Sequence, residues 1–194
     1  MLYFCYGEGE IWMNYVEPIR DGKKVEDISI YLRKYSERNY IMFILGINSG
    51  LRISDILKLR VKEVKNKEYI NIREKKTGKQ RVFPLNAFMK KELKAYCENK
   101  EPNEYLIKSR QNSNTQLSRQ MAYKIIRLAG ENQGIANLGT HSLRKTFGYH
   151  FYQQYKDIVT LQKIFNHADP SITLRYIGIE QAAINSKIKN FKIY

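Results

Sequence analysis

Apolar side chains recur with the spacing of α-helices along most of the chain. From Val25 they return every three or four residues, which predicts an amphipathic helix ending near Tyr35. The strongly apolar segment 40–47 predicts a second helix in the core, with Gly50 as its stop signal. A third, short helix is expected to follow at once, with the hydroxyl of Ser54 as its N-cap.

The pattern changes from helical to alternating between residues 67 and 85. Segments 69–73 and 81–85 are β-like, and a polar run that contains Gly78 and three lysines separates them. This arrangement predicts a β-hairpin with a lysine-rich tip. Helical patterns then return in segments 87–98, 118–131, 141–155, 158–166 and 172–176, and from residue 181 onward, while 108–115 is expected to be an exposed loop. The predicted fold is mostly α-helical with one small antiparallel hairpin.

Composition places the chain among single-domain globular proteins. It has 194 residues, of which 43% are hydrophobic, enough to form a real core. No stretch approaches the roughly 18 apolar residues of a membrane span, and the N-terminus lacks a signal-peptide pattern. Cys5 and Cys97 form no C-x-x-C pair, which favours a reducing compartment. We therefore expect a soluble cytoplasmic protein that does not insert into a membrane.

The charge balance indicates a polyanionic partner. The chain carries 34 Lys and Arg against 19 Asp and Glu, a formal net charge of +15. Nucleic acid is the commonest partner for such a surplus, and an anionic membrane surface is the second. A basic protein with no polyanionic partner is the third interpretation, and charge alone does not choose among the three.

Two of the three histidines lie in compact polar clusters. In the first, Thr140 is predicted as an N-cap, so His141 and Arg144 lie one turn apart on the same helix face. An imidazole and a guanidinium at a helix N-terminus suit a phosphate better than a metal ion. An ordinary surface pair remains the alternative for this cluster alone.

In the second cluster, His167 and Tyr176 flank a predicted helix break at Pro170 and can face each other across the turn. Most of the 15 tyrosines must be structural, but a phenol held beside a histidine is a candidate nucleophile. His150 belongs to neither cluster and is expected on a helix face.

Arg52 completes a set of cations. It follows Gly50 at the mouth of the next predicted helix, where the glycine permits a sharp turn. Together with the hairpin lysines and the two clusters, it would surround a phosphodiester with positive charge. No carboxylate cluster accompanies these residues, so we expect neither a Mg²⁺ nor a Zn²⁺ site and no cofactor. Phosphoryl transfer needs positioning and charge neutralisation, which arginines can supply.

In order and spacing these motifs resemble those of the tyrosine recombinases, the phage integrase family. Four segments from about residue 24 to the end carry the resemblance: 50–56 around Arg52, 76–85 with Lys76, the His-x-x-Arg motif from His141 to Arg144, and His167 with Thr173 and, nine positions on, Tyr176. One departure is Asn166, where the family usually has glycine.

The resemblance implies a reaction and a catalytic set: Arg52, Lys76, His141, Arg144, His167 and Tyr176. Tyr176 would attack a DNA phosphate and form a 3′-phosphotyrosyl link, without metal or ATP. Both arginines would hold the non-bridging oxygens, His141 would assist proton transfer at Tyr176, and His167 would donate to a phosphate oxygen.

Two residues keep alternative interpretations within this scheme. Lys76 would protonate the leaving 5′-oxygen, although Lys75 and Lys79 are alternatives for that role. Asp55 would either orient Arg52 or cap a helix.

The resemblance also implies a domain organisation. Only 51 residues precede Arg52, so we expect an irregular lead-in over 1–23, a catalytic domain over 24–194 of the tyrosine recombinase (DNA breaking-rejoining) fold, and no core-binding N-terminal domain.

The implied partner is double-stranded DNA. We expect a monomer in free solution and a homo-tetramer on paired DNA sites, associated with a bacterial or phage-type nucleoid. Ile184, Ile188 and Phe191 form an apolar stripe on the C-terminal tail helix, about 179–194, which would dock on a neighbouring subunit or pack on its own domain. Two other functions stay open: relaxation of DNA by a type IB topoisomerase, and a non-catalytic DNA-binding regulator with the same fold.

Overall fold

The computed structural model describes residues 16–73, 80–111, 113–179 and 188–193. Within these residues the elements are the helices α1 (Gly22–Tyr35), α2 (Glu37–Ser49), α3 (Ile53–Ile56), α4 (Ala87–Tyr96), α5 (Arg119–Asn132), α6 (Thr140–Tyr155), α7 (Ile158–Phe165) and α8 (Pro170–Tyr176), and the strands β1 (Tyr69–Arg73) and β2 (Gln80–Pro84). A single 3₁₀ turn spans Val61–Glu63. The predicted fold, mostly α-helical with one small hairpin, is confirmed.

Short polar side chains fix where most helices begin. Asp21, Asn86, Ser118, Asp157 and Asp169 each accept a hydrogen bond from a backbone N–H in the first turn of the helix that follows. Such caps satisfy amide groups that have no partner inside the helix.

The core is organised around helix α2. Seven consecutive residues, 40–46, are buried, and α2 packs against α1, α4 and α6. Its end is set by Gly50, which adopts a left-handed conformation with φ of 61°. A side chain at this position would also collide with the ring of Phe147 on α6. The glycine therefore both ends α2 and lets it approach α6 closely.

A second, smaller apolar cluster joins the last three helices. Leu161, Phe165 and Ile177 are fully buried in it, and Phe147 of α6 and Tyr176 of α8 pack against them. Because α7 packs on both α6 and α8, this cluster fixes the C-terminal helices relative to the His-x-x-Arg segment of α6.

The two strands form an antiparallel hairpin in the register Tyr69 with Pro84 to Arg73 with Gln80. Ile70 and Ile72 are buried in the core, whereas Tyr69 and Val82 are exposed. The hairpin prediction is confirmed, with β2 shifted by one residue from segment 81–85. The predicted lysine-rich tip, including Lys76, lies outside the described residues.

Two predicted N-caps are wrong. The backbone carbonyl of Arg52 accepts the first bonds of α3, so the helix begins at Ile53, and the Ser54 hydroxyl lies 3.5 Å from Asp55 Oδ1. Helix α6 begins at Thr140 after an extended Gly139, whose N–H donates to Ser142 Oγ. In both cases a backbone turn, and not the predicted hydroxyl, starts the helix.

The predicted lead-in is described only from Val16. Residues 16–21 contain no regular element, yet Ile19 is buried. Most of the predicted tail helix lies outside the described residues, as does Ile184; residues 188–193 are exposed. No helix in the described part of the chain has the length and apolar character needed to cross a membrane.

Alanine at Gly148 is expected to destabilise the fold. A Cβ there would lie 2.6 Å from Ile177 Cγ2 and 2.7 Å from Phe165 Cζ, in the cluster that joins α6, α7 and α8. Overpacking of this kind costs about 1–3 kcal/mol in the free energy of unfolding, measurable by urea denaturation. Gly22→Ala is the matched control, because a Cβ at Gly22 meets nothing within 4 Å. Equal stability of the two variants would contradict the packing described here.

Candidate active site

Arg144 is the structural centre of the site. It is buried on α6, and its guanidinium donates from Nη1 to the Gly50 carbonyl and from Nη2 to the Phe165 carbonyl, the latter at 2.9 Å. The guanidinium carbon also lies 4.2 Å from the centre of the Phe165 ring. Arg144 therefore links the end of α2, the end of α7 and its own helix.

Arg52 and His141, which were also predicted near the phosphate, share a cavity with Arg144. A cavity of about 260 Å³ is lined by Arg52, Ile53, Ser54, Arg119, Thr140, His141 and Arg144. Arg52 and His141 are exposed at its surface, and Arg144 is the buried member. Three arginines and an imidazole thus line one cavity.

His167 and Tyr176 face each other across the turn between α7 and α8, as predicted. Their ring centres lie 5.3 Å apart with the planes at 75°, and the Phe165 ring packs against both. His167 Nδ1 and Thr173 Oγ1 share a hydrogen bond of 3.0 Å, and Thr173 is fully buried. This bond orients the imidazole and leaves Nε2 to meet a ligand.

The two clusters meet at Arg144, whose side chain forms a hydrogen bond with the Tyr176 phenol. Burial raises the pKa of Tyr176, and the charges of Arg144 and Arg52 and this hydrogen bond oppose the increase. The phenol is therefore protonated at neutral pH, and nucleophilic attack requires that its proton be removed.

Both histidines of the site are neutral at neutral pH. Partial burial of its ring against the cavity wall lowers the pKa of His141 below its ordinary value, although the residue keeps an exposed edge, and the charges of Arg144, Lys145 and Arg52 lower it further. Burial lowers the pKa of His167 as well, together with Arg144 and Arg52. A neutral imidazole can accept a proton, so both side chains are in the form that a general base requires.

The hairpin stands beside these residues. Ile72, Val82 and Phe83 line a cleft with Arg52 and Arg144. Asp55 lines the same cleft but forms no ion pair with Arg52 among the described residues. Lys76, Lys75 and Lys79 lie outside the described residues. No group of three His, Cys, Asp or Glu side chains in the described ranges is placed to hold a metal ion.

Sequence reasoning missed two residues of the site. Arg119 lines the cavity from the N-terminus of α5, far in sequence from either motif, and its charge was its only signal. Phe165 was predicted only as part of an apolar helix, although its carbonyl and ring contact Arg144 and its ring also packs against His167 and Tyr176.

The model of the phage integrase family matches residues 21–182. A probable integrase/recombinase, YoeC of Bacillus subtilis, is 47% identical over 179 residues, which cover 92% of this chain and 98% of that protein. The tyrosine recombinase XerA of Pyrococcus horikoshii is 27% identical over 159 residues, which cover 80% of this chain and 55% of XerA. The chain thus spans nearly all of one relative and about half of the other.

Solved structures show the same fold. The crystal structure of XerA recombinase matches with a TM-score of 0.72 at 21% identity, over 93% of this chain and 68% of XerA. XerH recombinase bound to its palindromic difH substrate matches with a TM-score of 0.71 at 20% identity, over 91% of this chain and 54% of XerH. The fold is that of the tyrosine recombinase catalytic domains. The chain belongs to the phage integrase family, as a tyrosine-type site-specific recombinase.

The pKa directions predict a pH profile for DNA cleavage. Covalent adduct formation by the chain should be nearly constant from neutral to mildly alkaline pH. It should fall only in the acidic range below the ordinary pKa of a histidine, because protonation removes the proton-accepting form of His141 as the pH drops through its lowered pKa. Single-turnover rates between pH 5 and 9 measure the profile, and His141→Gln should lose most of the acid limb. A rate that increases as the pH falls would contradict this role.

Proposed function

We propose that the chain cuts and rejoins double-stranded DNA at specific sites through a 3′-phosphotyrosyl intermediate on Tyr176. The observation that carries this proposal is the convergence of Arg52, His141 and Arg144 on one cavity, with Arg144 also bonded to Tyr176. An anion site and a nucleophile that share one buried arginine are suited to attack on a bound phosphate.

In the proposed cleavage step, the Tyr176 oxygen bonds to phosphorus while the bond from phosphorus to the 5′-oxygen breaks. The phenol proton passes to His141, and Lys76 of the hairpin supplies a proton to the leaving 5′-oxygen. Arg52 and Arg144 neutralise the non-bridging oxygens, and His167 donates to one of them through Nε2.

Rejoining is the reverse step, with a 5′-hydroxyl as the attacking group. The phosphotyrosyl ester replaces the phosphodiester with no change in the number of ester bonds, so the exchange balances without ATP. Guanidinium groups neutralise the phosphate, so EDTA should leave the rate of cleavage unchanged.

DNA as the partner is supported by the net charge of +15 and by basic grooves beside the site. A groove of about 560 Å³ is lined by Arg38 and Arg110 and contains no Asp or Glu in its lining. Burial and the charge of Arg110 lower the pKa of Arg38, as expected for cations gathered without acidic partners. This groove shares Ser118 with a neighbouring groove, and the neighbouring groove shares Arg119 with the cavity of Arg52 and Arg144. The three together offer a track for a DNA strand.

Assembly follows from the exchange of two strands, which needs two cleaved sites held together. The chain is a monomer in solution and a tetramer on paired sites, joined through its C-terminal tail. The exposure of Ile188 and Phe191, at 66% and 71%, supports docking on a neighbouring subunit and not packing on their own domain.

A nicked suicide substrate that carries a candidate site tests the reaction. The chain should form a covalent protein–DNA adduct in the presence of EDTA, and it should exchange two sites placed on one plasmid. Relaxation of a supercoiled plasmid without exchange would favour the topoisomerase alternative, and DNA binding without any adduct would favour the regulator.

A further inference from the structure

Five residues before α1 cross the outer face of α6; we term this segment, Val16–Arg20, the entry strap. The Ile19 N–H donates to Thr146 Oγ1 at 2.8 Å, and the Ile19 carbonyl lies 2.9 Å from His150 Nε2. The Ile19 side chain is 3% exposed. Thr146 and His150 are four residues apart, so they lie on one face of α6. The strap is therefore built into the helix that carries His141 and Arg144.

Arg20, the last residue of the strap, reaches the end of the helix that carries the proposed nucleophile. Arg20 Nη2 donates to the Gly178 carbonyl at 3.2 Å, and Glu17 holds the same guanidinium nitrogen at 3.2 Å. Gly178 has φ of 73° and lies two residues after Tyr176, where α8 ends. Gly178 directly follows Ile177, the C-cap of α8, so this bond holds the chain where it leaves the helix. Arg20 thus ties the end of the helix that carries Tyr176 to the strap.

Val16, the first residue of the strap, is linked to the Tyr176 ring by Lys145, which contacts both. This lysine is 6% exposed, and its Nζ donates to the Val16 carbonyl at 2.8 Å. The same nitrogen lies 5.4 Å from the centre of the Tyr176 ring, within the range of a cation–π interaction. Burial lowers the pKa of Lys145, and the charge of Glu17 on the strap opposes the change.

We propose that the entry strap positions Tyr176 for attack, with Arg20 and Lys145 as positioning residues. Arg20 fixes the end of α8 through the Gly178 carbonyl, and Lys145 fixes the ring from the side of α6. Neither residue lines the cavity where Arg52, His141 and Arg144 converge, so the strap acts on the nucleophile and not on the phosphate. The proposal rests on the proposed function in one respect, the role of Tyr176 as nucleophile.

Amide hydrogen exchange tests whether the strap holds the end of α8, and the measurement does not require DNA cleavage. The amides of Ile177 and Gly178 donate to Thr173 and Arg175 at the end of α8 and report whether this end is held. In Arg20→Ala these amides should exchange about tenfold faster than in the wild-type chain, since the hydrogen bond that holds the chain at Gly178 is lost. Arg20→Lys, which keeps a charged donor, should restore part of the protection.

Arg60→Ala is the matched control. Like Arg20, Arg60 donates to a backbone carbonyl, that of Asn103, and its guanidinium carbon lies 4.3 Å from the Tyr105 ring centre. Neither contact involves α8, and none is seen between Arg60 and α8 in the described part of the chain. It should leave exchange at Ile177 and Gly178 as in the wild-type chain. Unchanged exchange in Arg20→Ala, or an equal increase in both variants, would overturn the proposal.

Adduct formation on the nicked substrate then tests positioning. At saturating protein, Arg20→Ala should slow adduct formation about tenfold, while DNA affinity changes as little as in Arg60→Ala, because positioning affects the chemical step and not binding. A wild-type rate in Arg20→Ala would overturn the positioning role. If the wild-type chain forms no adduct, the proposed function fails, and the exchange measurement still decides whether the strap holds α8.

Discussion

Replacement of Tyr176 by Phe is expected to abolish covalent adduct formation while leaving DNA affinity within about twofold of wild type. The change removes one oxygen atom and no formal charge, so phosphate contacts, which dominate DNA affinity, are kept. The ring should keep its position, because its contacts with Phe165 and His167 are ring contacts that do not use the hydroxyl. Gel electrophoresis of the denatured adduct measures the first quantity, and titration of intact duplex measures the second.

Tyr155→Phe is the control for this substitution. Tyr155 lies at the end of α6 and is 59% exposed, away from the cavity of Arg52 and Arg144. It should form adduct at the wild-type rate. Adduct formation by Tyr176→Phe at a comparable rate would remove Tyr176 from the mechanism.

Arg144→Ala is expected to lower the rate of cleavage by at least about a hundredfold, the cost of one lost donor to transition-state charge. It should also destabilise the fold, because the Gly50 and Phe165 carbonyls lose their donor, at about 1–3 kcal/mol for each buried group left unsatisfied. Single-turnover cleavage at saturating DNA and urea denaturation separate the two effects. Arg144→Lys should recover little activity, since an ammonium cannot reproduce the fork of the guanidinium.

Arg52→Ala separates catalysis from folding more cleanly. Arg52 is exposed at the cavity, and its loss should slow cleavage on the same scale with little change in the free energy of unfolding. If both arginine variants lose less than tenfold in cleavage rate, the phosphate site lies elsewhere.

Apolar patterning predicted the elements well because most helices are amphipathic, whereas α2, which is buried on all sides over residues 40–46, was indicated by its continuous apolar run. Helix α2 and the two strands were located within a few residues, since apolar spacing and the Gly50 stop are local properties of the chain. The start of α3 was missed by two residues and that of α6 by one. At those positions the backbone after Gly50 and at Gly139 decides the first hydrogen bond, and that geometry depends on tertiary packing.

The candidate site was predictable as a set of residues but not as an arrangement. The resemblance supplied Arg52, His141, Arg144, His167 and Tyr176 by their spacing. It gave no sign that Arg144 is buried and bonded to two carbonyls, or that the Phe165 ring packs against Arg144, His167 and Tyr176. Such features depend on contacts between residues distant in sequence. The same holds for the entry strap, whose contacts with α6 and Gly178 span more than 120 positions.

The attachment point of the DNA in the trapped adduct tests the central claim most directly. The adduct would be formed on a nicked suicide substrate, digested with nuclease and trypsin, and analysed by tandem mass spectrometry. Cleavage after Arg175 and Lys187 gives a peptide that contains Tyr176 as its single tyrosine. The account predicts a nucleotide joined through its 3′-phosphate to Tyr176 in this peptide. A nucleotide attached to another residue, or joined through its 5′-phosphate, would contradict it.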